Sequence, residues 1–286
     1  MNDVEQRPVV GWIGLGDQGA PMAQAIAELG HDLHVWARRP QSLQAVADYP
    51  HAVEETVAGL AAVSDIFALC LNDDRDMWEI LNTVGVQDAL RPGTVVVNHG
   101  TGDPSENAKI AQYLEERGLV YLDAPVSGGG PGAKARTLTT MVGGGRAPFE
   151  KCERVFATFS NKVSHMGVSG SGQMTKLLNN AMTTSNLKNV VDLVRLADSL
   201  GVDVAALIDV ISDSSGGSTV MRALGTDITP DIAPHLQQLM RKDIVHFADG
   251  VRAQGLDPAG LRDRGLAGAD GLVEAVTLVT ASGRHS

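Results

Sequence analysis

A lysine followed at three and four residues by two asparagines, Lys176, Asn179 and Asn180, is the group in this chain best suited to chemistry. In a helix, positions i, i+3 and i+4 lie on neighbouring faces, so one amine and two carboxamides share a surface. Such a set can orient a polar substrate and move a proton, the ammonium serving as acid and the free amine as base. From Gln173 onward, Met174, Leu177, Leu178, Ala181, Leu187, Val190, Val191, Val194 and Leu200 recur at steps of mostly three, four and seven, behind a loop marked by Gly170-Ser171-Gly172. A helix of roughly 28 residues spans about 42 Å, more than one small domain needs. It is therefore expected to join two domains, with the lysine in its first turns facing a cleft. A solvated helix start fits the same residues, and the rest of the chain has to decide.

A second set is built to hold a ligand. Val9-Val10-Gly11-Trp12-Ile13 reads as a buried strand, Gly14-Leu15-Gly16-Asp17-Gln18-Gly19 follows at once, and a helical pattern covers 20–29 before Gly30. Leu33-His34-Val35-Trp36 is a second strand. Glycines spaced GxGxxG are common by themselves; between a strand and a helix of a βαβ unit they form a dinucleotide fingerprint. Gly14 permits the tight turn, Gly16 lets backbone approach a pyrophosphate, and Gly19 lets helix pack on strand. The phosphates are expected at the helix N-terminus, where unpaired N–H groups favour negative charge. The second strand ends Ala37-Arg38-Arg39-Pro40, without the acid that binds the ribose 2′-hydroxyl of NAD; Asp32 comes before the strand. A guanidinium fork is matched to a 2′-phosphate, so Arg38 and Arg39 predict NADP(H).

The intervening pattern places these sets. Helices are expected at 42–47, 53–63, 77–82 and 107–117, the last behind a capping stretch Asp103-Pro104-Ser105, and strands at 66–71, 94–98 and 119–122. This alternation argues for a Rossmann-type, doubly wound parallel sheet. Asp123-Ala124-Pro125-Val126-Ser127-Gly128-Gly129-Gly130-Pro131-Gly132-Ala133 leaves the carboxyl end of a strand, where open α/β sheets bind ligands. Its glycines expose backbone N–H groups and Ser127 adds a hydroxyl, a nest suited to a small carboxylate, although composition alone equally fits a flexible loop. A strand at 137–141, a turn at Val142-Gly143-Gly144, a helix at 147–159 and a strand at 162–166 follow. Beyond Ser171 strand signals cease, and helices are expected at 204–211, 220–224, 235–251 and 261–281, broken by Gly/Ser and Pro stretches. Two domains result: a cofactor domain over 1–168 and an all-helical substrate and dimerisation domain over 169–286.

Composition narrows the class. The 286 residues suit two domains, and no run approaches the ~18 apolar residues of a membrane span. Residues 1–7 show no basic segment leading into an apolar one, so no secretory signal is expected. The two cysteines, Cys70 and Cys152, lie outside any CxxC, and a reducing cytoplasm follows. A net charge of −11 and 4% aromatic content argue against nucleic acid. The histidines are scattered without metal-ligand spacing. His99, His165, His246 and Cys70 read as packing residues, and Asp73-Asp74-Arg75-Asp76 as a solvated turn.

With these motifs in order, the chain resembles the β-hydroxyacid dehydrogenase family, which includes 3-hydroxyisobutyrate dehydrogenase and tartronate semialdehyde reductase. The resemblance rests on Gly14-Leu15-Gly16-Asp17-Gln18-Gly19-Ala20-Pro21-Met22; on Asp123-Ala124-Pro125-Val126-Ser127-Gly128-Gly129 with Thr137-Leu138-Thr139 and Met141-Val142-Gly143-Gly144; on Gly170-Ser171-Gly172 with Lys176, Asn179 and Asn180; and on Lys242-Asp243. It implies Lys176 as catalytic acid/base, Asn180 as a substrate or lysine-positioning amide, and Ser127, Gly128 and Gly129 as substrate-carboxylate ligands. Asn179 and Asp243 join the substrate set. Gly14, Leu15, Gly16, Gln18, Gly19, Arg38, Arg39, Leu71, Asn72, Thr101 and Lys242 form the implied cofactor set. A homodimer or homotetramer through the helical domain is also implied. The chain departs from the family pattern at Arg136, where glycine is usual and a new cation is expected near the substrate loop. It departs again at Asn72, which replaces a proline, and at Gly100 and Asp103, which replace small hydroxyl residues.

The expected activity is hydride transfer between NADP(H) and a small β-hydroxy acid or its semialdehyde. A lysine of ordinary basicity, pKa about 10.4, is ready as the acid of a reductase, whereas service as a base at neutral pH requires lowering by roughly 4 kcal/mol. Imine reductases share the architecture but generally carry Asp or Tyr at the position of Lys176. A cofactor-bound scaffold without turnover is the third alternative, and Lys176, Asn180 and Ser127 argue against it.

Overall fold

Apolar runs become strands here because helices cover both faces of one sheet. The structure, a computed structural model, describes residues 7–282, so all but Arg7 of the stretch weighed as a leader lies outside it. Val10–Ile13 (β1) is buried at every residue and passes through the glycine turn into Gly19–Glu28 (α1). Leu33–Trp36 (β2), a 3-10 helix Pro40–Val46, Ala52–Val53 (β3), Val57–Val63 (α2), Ile66–Leu69 (β4), Asp74–Leu81 (α3), Val86–Ala89 (α4) and Val95–Asn98 (β5) follow. Then come Pro104–Glu115 (α5), Val120–Asp123 (β6), Val126–Ser127 (β7), Gly129–Lys134 (α6), Leu138–Gly144 (β8), Arg146–Phe156 (α7) and Ser160–Gly167 (β9). Alternate strand residues feed two cores. Val10, Trp12, Ile66, Ala68, Val95 and Val97 pack with Met22, Ile26, Phe156 and Phe159 on one face. Ile13, Phe67, Leu69 and Val96 pack with Leu60, Met77, Ile80 and Leu114 on the other. Burial on both faces explains the unbroken apolar runs.

Among the described residues the sheet order is β3-β2-β1-β4-β5-β6-β8-β7, with β9 against β8. Pairing is parallel from β3 through β6, the expected doubly wound half. β8 then runs antiparallel to β6 and β7. The β7–α6 segment forms the connection that brings the chain back for this antiparallel pairing.

Several local expectations are corrected. Thr56 accepts the Gly59 N–H and starts α2 there, leaving Ala52–Val53 to pair with β2 as an edge strand. Asp73 accepts the Asp76 N–H, so the acidic run caps and opens α3, where negative charge is favoured, rather than forming a solvated turn. α4 had no clear sequence signal. The glycine-rich stretch after Asp123 is a short strand and a helix, and Val142-Gly143-Gly144 continues β8 instead of turning.

The second unit is helical throughout the described residues. It comprises the greater part of Ser171–Ser199 (α8), then Val204–Ser212 (α9), Thr219–Ala223 (α10), Ala233–Ala253 (α11), Ala259–Asp270 (α12) and Leu272–Ser282 (α13). The pattern over 261–281 is thus two helices. They part at Gly271, where a Cβ would lie 2.7 Å from the Val191 methyls. Leu187, Val190, Val191 and Val194 of α8 pack with Val204, Ile208, Met221, Leu272 and Val276, while Leu177 and Ala181 pack with Ile244 and Phe247. Leu200 lies past the end of α8 and is exposed. The chain divides into its two compact units after Lys176, inside α8, because the first turns of that helix are hydrogen-bonded into the sheet unit.

Candidate active site

The first feature is the turn between β1 and α1. The Trp12 indole N–H donates to the Gly14 carbonyl at 3.0 Å and the Cys70 N–H to Ile13 at 2.8 Å, fixing the turn against the end of β4. Gly14 has φ +105°, and a Cβ there would lie 2.1 Å from the Cys70 carbonyl oxygen; at Gly19 it would lie 2.1 Å from that of Gly14. Protein packing therefore demands both glycines. Gly16 differs, since a Cβ there meets nothing within 4 Å. The open space at Gly16, beside the first turn of α1, fits the close approach of a pyrophosphate, and Leu15 and Gln18 flank it.

Arg38 and Arg39, Leu71 and Asn72, and Thr101 follow β2, β4 and β5, at the same carboxyl edge of the sheet. Ser127 ends β7, Gly128 (φ +131°) precedes α6 and Gly129 opens it. A Cβ at Gly130 would stand 3.4 Å from the Asp17 carbonyl oxygen, so this glycine-rich segment lies beside the cofactor turn. Arg136 does not face it. Its guanidinium pairs with Glu28, the last residue of α1, at the opposite end of that helix. The expected extra cation near the substrate loop is thus a clamp on α1. Arg38 is engaged by Glu79 and Asp76 of α3, at 3.1 and 3.9 Å.

The segment 98–103 is bolted down by buried polar groups. Asn98 Oδ1 accepts the Gly100 N–H, and Asn98 Nδ2 donates to Asn107 Oδ1, which also accepts the Tyr121 hydroxyl at 2.6 Å. Asp74 accepts from Asn107 Nδ2 at 2.8 Å and from the Asp103 N–H at 2.7 Å. The departures at Gly100 and Asp103 have local causes. A Cβ at Gly100 would come 2.6 Å from the Leu71 carbonyl, and the Asp103 carboxylate caps α5 through the Ser105 N–H.

Two residues missed by sequence reasoning tie α8 to this framework. Gln173, fully buried, donates to the Gly100 carbonyl at 2.7 Å and accepts the Gly102 N–H at 2.9 Å. Asp123, also fully buried, accepts the N–H groups of Gly170 and Gln173, both at 2.8 Å. Burial raises the Asp123 carboxyl to about 6, against the opposing pull of those N–H groups. A Cβ at Gly172 would lie 2.5 Å from the carbonyl oxygens of both Asp123 and Met141, so only glycine lets the helix start this close to the sheet. Lys176, half-buried, stands one turn beyond Gln173. A signal existed for Gln173: it precedes Leu177 and Ala181 at steps of four, on the buried stripe.

In the helical unit, Asn180 Nδ2 donates to Asp243 Oδ2 at 2.7 Å and Asn179 Nδ2 to Asn180 Oδ1 at 3.3 Å. Asp243 and Lys242 lie in α11, both half-buried. The structure thus joins Asn179, Asn180 and Asp243 in one network.

His99, His165, Cys70 and Cys152 are packing residues. His99 stacks on Trp12 at 5.4 Å, meets Phe156 and Phe159 edge-on, and bonds the Ala124 carbonyl through Nδ1; burial lowers its pKa to about 4. Burial pushes the Cys70 and Cys152 thiols up to about 12, which disfavours the thiolate form of both. His165 bonds the Gly144 carbonyl and packs on Phe149. Among the described residues no group of three or more His, Cys, Asp or Glu is placed to hold a metal ion, and no helix is long and apolar enough to cross a membrane.

A dinucleotide cradle and a lysine-bearing helix anchored to the same sheet edge define a nicotinamide-dependent oxidoreductase. Residues 9–167 match the NAD binding domain of 6-phosphogluconate dehydrogenase, and 170–262 the NAD-binding domain of NADP-dependent 3-hydroxyisobutyrate dehydrogenase. The chain is 33% identical to 2-(hydroxymethyl)glutarate dehydrogenase of Eubacterium barkeri, over 77% of this chain and 73% of the relative. The structure of 3-hydroxyisobutyrate dehydrogenase from Mycobacterium tuberculosis with L-serine superimposes with TM-score 0.81 at 25% identity, covering 96% of this chain and 98% of that one. An imine reductase from Pseudomonas sp. shares the fold, with TM-score 0.66 at 20% identity over 96% of this chain and 99% of its own. This chain belongs to the β-hydroxyacid dehydrogenase family.

Proposed function

We propose that the protein is an NADP-dependent dehydrogenase or reductase acting on a small, carboxylate-bearing β-hydroxy acid or the matching semialdehyde. The observation that supports this best is the anchoring of Lys176. Asp123 and Gln173 hold the start of its helix against the same strand ends that carry the glycine turn and Ser127. Gly14, Leu15, Gly16, Gln18 and Gly19 receive the pyrophosphate, Arg38 and Arg39 the 2′-phosphate, and Leu71, Asn72, Thr101 and Lys242 complete the cofactor set. Bound NADP supplies the hydride acceptor, or NADPH the donor. Ser127, Gly128 and Gly129 hold the substrate carboxylate through hydroxyl and backbone N–H donors. Lys176 holds the transferred proton at Nζ, taking it from the hydroxyl in oxidation and returning it in reduction. Asn180, fixed by Asp243 and flanked by Asn179, orients the substrate or the lysine.

The test is nicotinamide absorbance for the wild type and Lys176→Ala, with NADP⁺ and NAD⁺ against small β-hydroxy acids and NADPH against semialdehydes and cyclic imines. Lys176→Ala is expected to lose at least ~100-fold in turnover while still binding NADPH. Near-wild-type turnover in the variant removes the lysine from the chemistry, and turnover of imines alone changes the substrate class.

A further inference from the structure

We propose that Glu79, assisted by Asp76, sets the cofactor preference of this chain by holding Arg38 in an ion pair, so that Arg39 is the standing ligand of the 2′-phosphate and Arg38 a conditional one. The inference rests on the NADP reading and gives it a second determinant, outside the glycine turn and outside the end of β2.

Arg38 Nη2 lies 3.1 Å from Glu79 Oε2 and 3.9 Å from Asp76 Oδ1. Glu79 and Asp76 are three residues apart on α3, hence on one face, and that face meets the end of β2. Asp76 sits in the first turn of α3, where the helix dipole favours its charge, and is 22% exposed; Glu79 is 60% exposed and Arg38 56%. Arg39 precedes the 3-10 helix, is exposed, and has no carboxylate within ion-pair distance among the described residues.

A 2′-phosphate and Glu79 therefore compete for one guanidinium. The phosphate presents more charge and fits the fork, so it wins when NADP(H) binds, but the Arg38 pair must be given up and its stabilisation is lost. NAD(H), with a hydroxyl at the same place, leaves the pair intact. The two acids accordingly weaken NADP(H) selectively, and the chain discriminates less sharply between the cofactors than Arg38-Arg39 in sequence implies.

Fluorescence titration with NADPH and with NADH tests this on the wild type, Glu79→Gln, Arg38→Ala, Arg39→Ala and the double variant E79Q/R38A. E79Q is expected to tighten NADPH by about three- to tenfold, or about 0.7–1.4 kcal/mol, with NADH within about twofold. The gain is expected to vanish in the Arg38→Ala background and to shrink at high salt. Unchanged NADPH affinity in E79Q overturns the proposal, as does a gain that survives removal of Arg38. The NADP reading fails separately, if the wild type binds NADPH no tighter than NADH and Arg39→Ala changes neither. NADPH binding that depends on Arg39 yet ignores Glu79 overturns the present proposal alone.

Discussion

Replacing Asp123 by asparagine is expected to alter the pH dependence of stability far more than stability itself. The wild-type carboxyl is raised from 3.8 to about 6, chiefly because burial disfavours its charge. That is about 3 kcal/mol against the ionised native state. Above pH 6 the folded protein carries this penalty in full. As pH falls through 6 the native carboxyl takes up its proton before the unfolded one does, so stability from this residue rises and levels off below 3.8. Between pH 7.5 and 4.5 the gain amounts to about 2 kcal/mol. An asparagine side chain would keep one acceptor and the shape but could not titrate. At pH 7.5 the variant is relieved of the buried charge, yet it leaves either the Gly170 or the Gln173 N–H facing an amide N–H, a loss of about 1–3 kcal/mol. These effects oppose, so Asp123→Asn should fold with stability within about 2 kcal/mol of wild type at that pH.

Trp12, Trp36 and Trp78 all lie in the sheet unit, so urea unfolding followed by tryptophan fluorescence reports on the unit that contains Asp123. The quantity to read is the wild-type minus variant difference at pH 4.5 and at pH 7.5, in which every other titrating group cancels. The difference should move in favour of the wild type by about 2 kcal/mol on acidification. A difference equal at the two pH values, or one that moves the other way, refutes the claim that burial governs this carboxyl.

His99 acts with the opposite sign. Its pKa falls from 6.5 to about 4, so the unfolded chain takes up a proton that the native protein refuses, and stability present above pH 6.5 drops by about 3 kcal/mol as pH falls toward 4. His99→Phe should flatten that acid limb in the same titration, and an unchanged limb would show that the ring is not the group responsible. Gly16→Ala separates cofactor space from protein packing. With no protein atom near the added methyl, stability should stay within about 0.5 kcal/mol. NADPH affinity should nevertheless fall at least about tenfold, because the methyl occupies the approach to the pyrophosphate. Full NADPH affinity in a normally folded variant would mean that the space at Gly16 is not where the phosphates lie.

What could be read from the sequence was local. The glycine turn, the buried strands and the helical character of 204–282 are written in residues that touch near neighbours in the chain, and the period of apolar positions carries them. What could not be read depends on contacts between distant segments. Asp123 and Gln173 gain their roles from partners roughly fifty and seventy residues away, and each looks ordinary where it stands. Arg136 was expected near the substrate loop because its sequence neighbours are there, but a long side chain turns to the carboxylate it can reach, Glu28. Arg38 was read as free for a phosphate because Glu79 is invisible until α3 is placed beside β2. Even the glycine-rich loop misled, since its composition conceals that Gly128 and Gly129 have the positive φ needed to start α6.

The anchoring of α8 has a consequence for the lysine it carries. An apolar contact tolerates small slips of a helix, because methyl groups trade one neighbour for another at little cost. Gln173 gives no such freedom. Its carbonyl oxygen and its amide nitrogen engage the N–H of Gly102 and the carbonyl of Gly100 at once. A shift of one residue moves a helix by about 1.5 Å and turns it through about 100°, which would break both bonds and bury their unpaired ends. Asp123 enforces the same register from the other side through Gly170 and Gln173. The segment 98–103, which carries Thr101 of the proposed cofactor set, and Lys176, one turn beyond Gln173, are thus held in one register by buried polar groups. Buried polar bonds fix the start of α8 in register, while from Leu177 on the helix packs through an apolar stripe, with Asn180 bonded to Asp243.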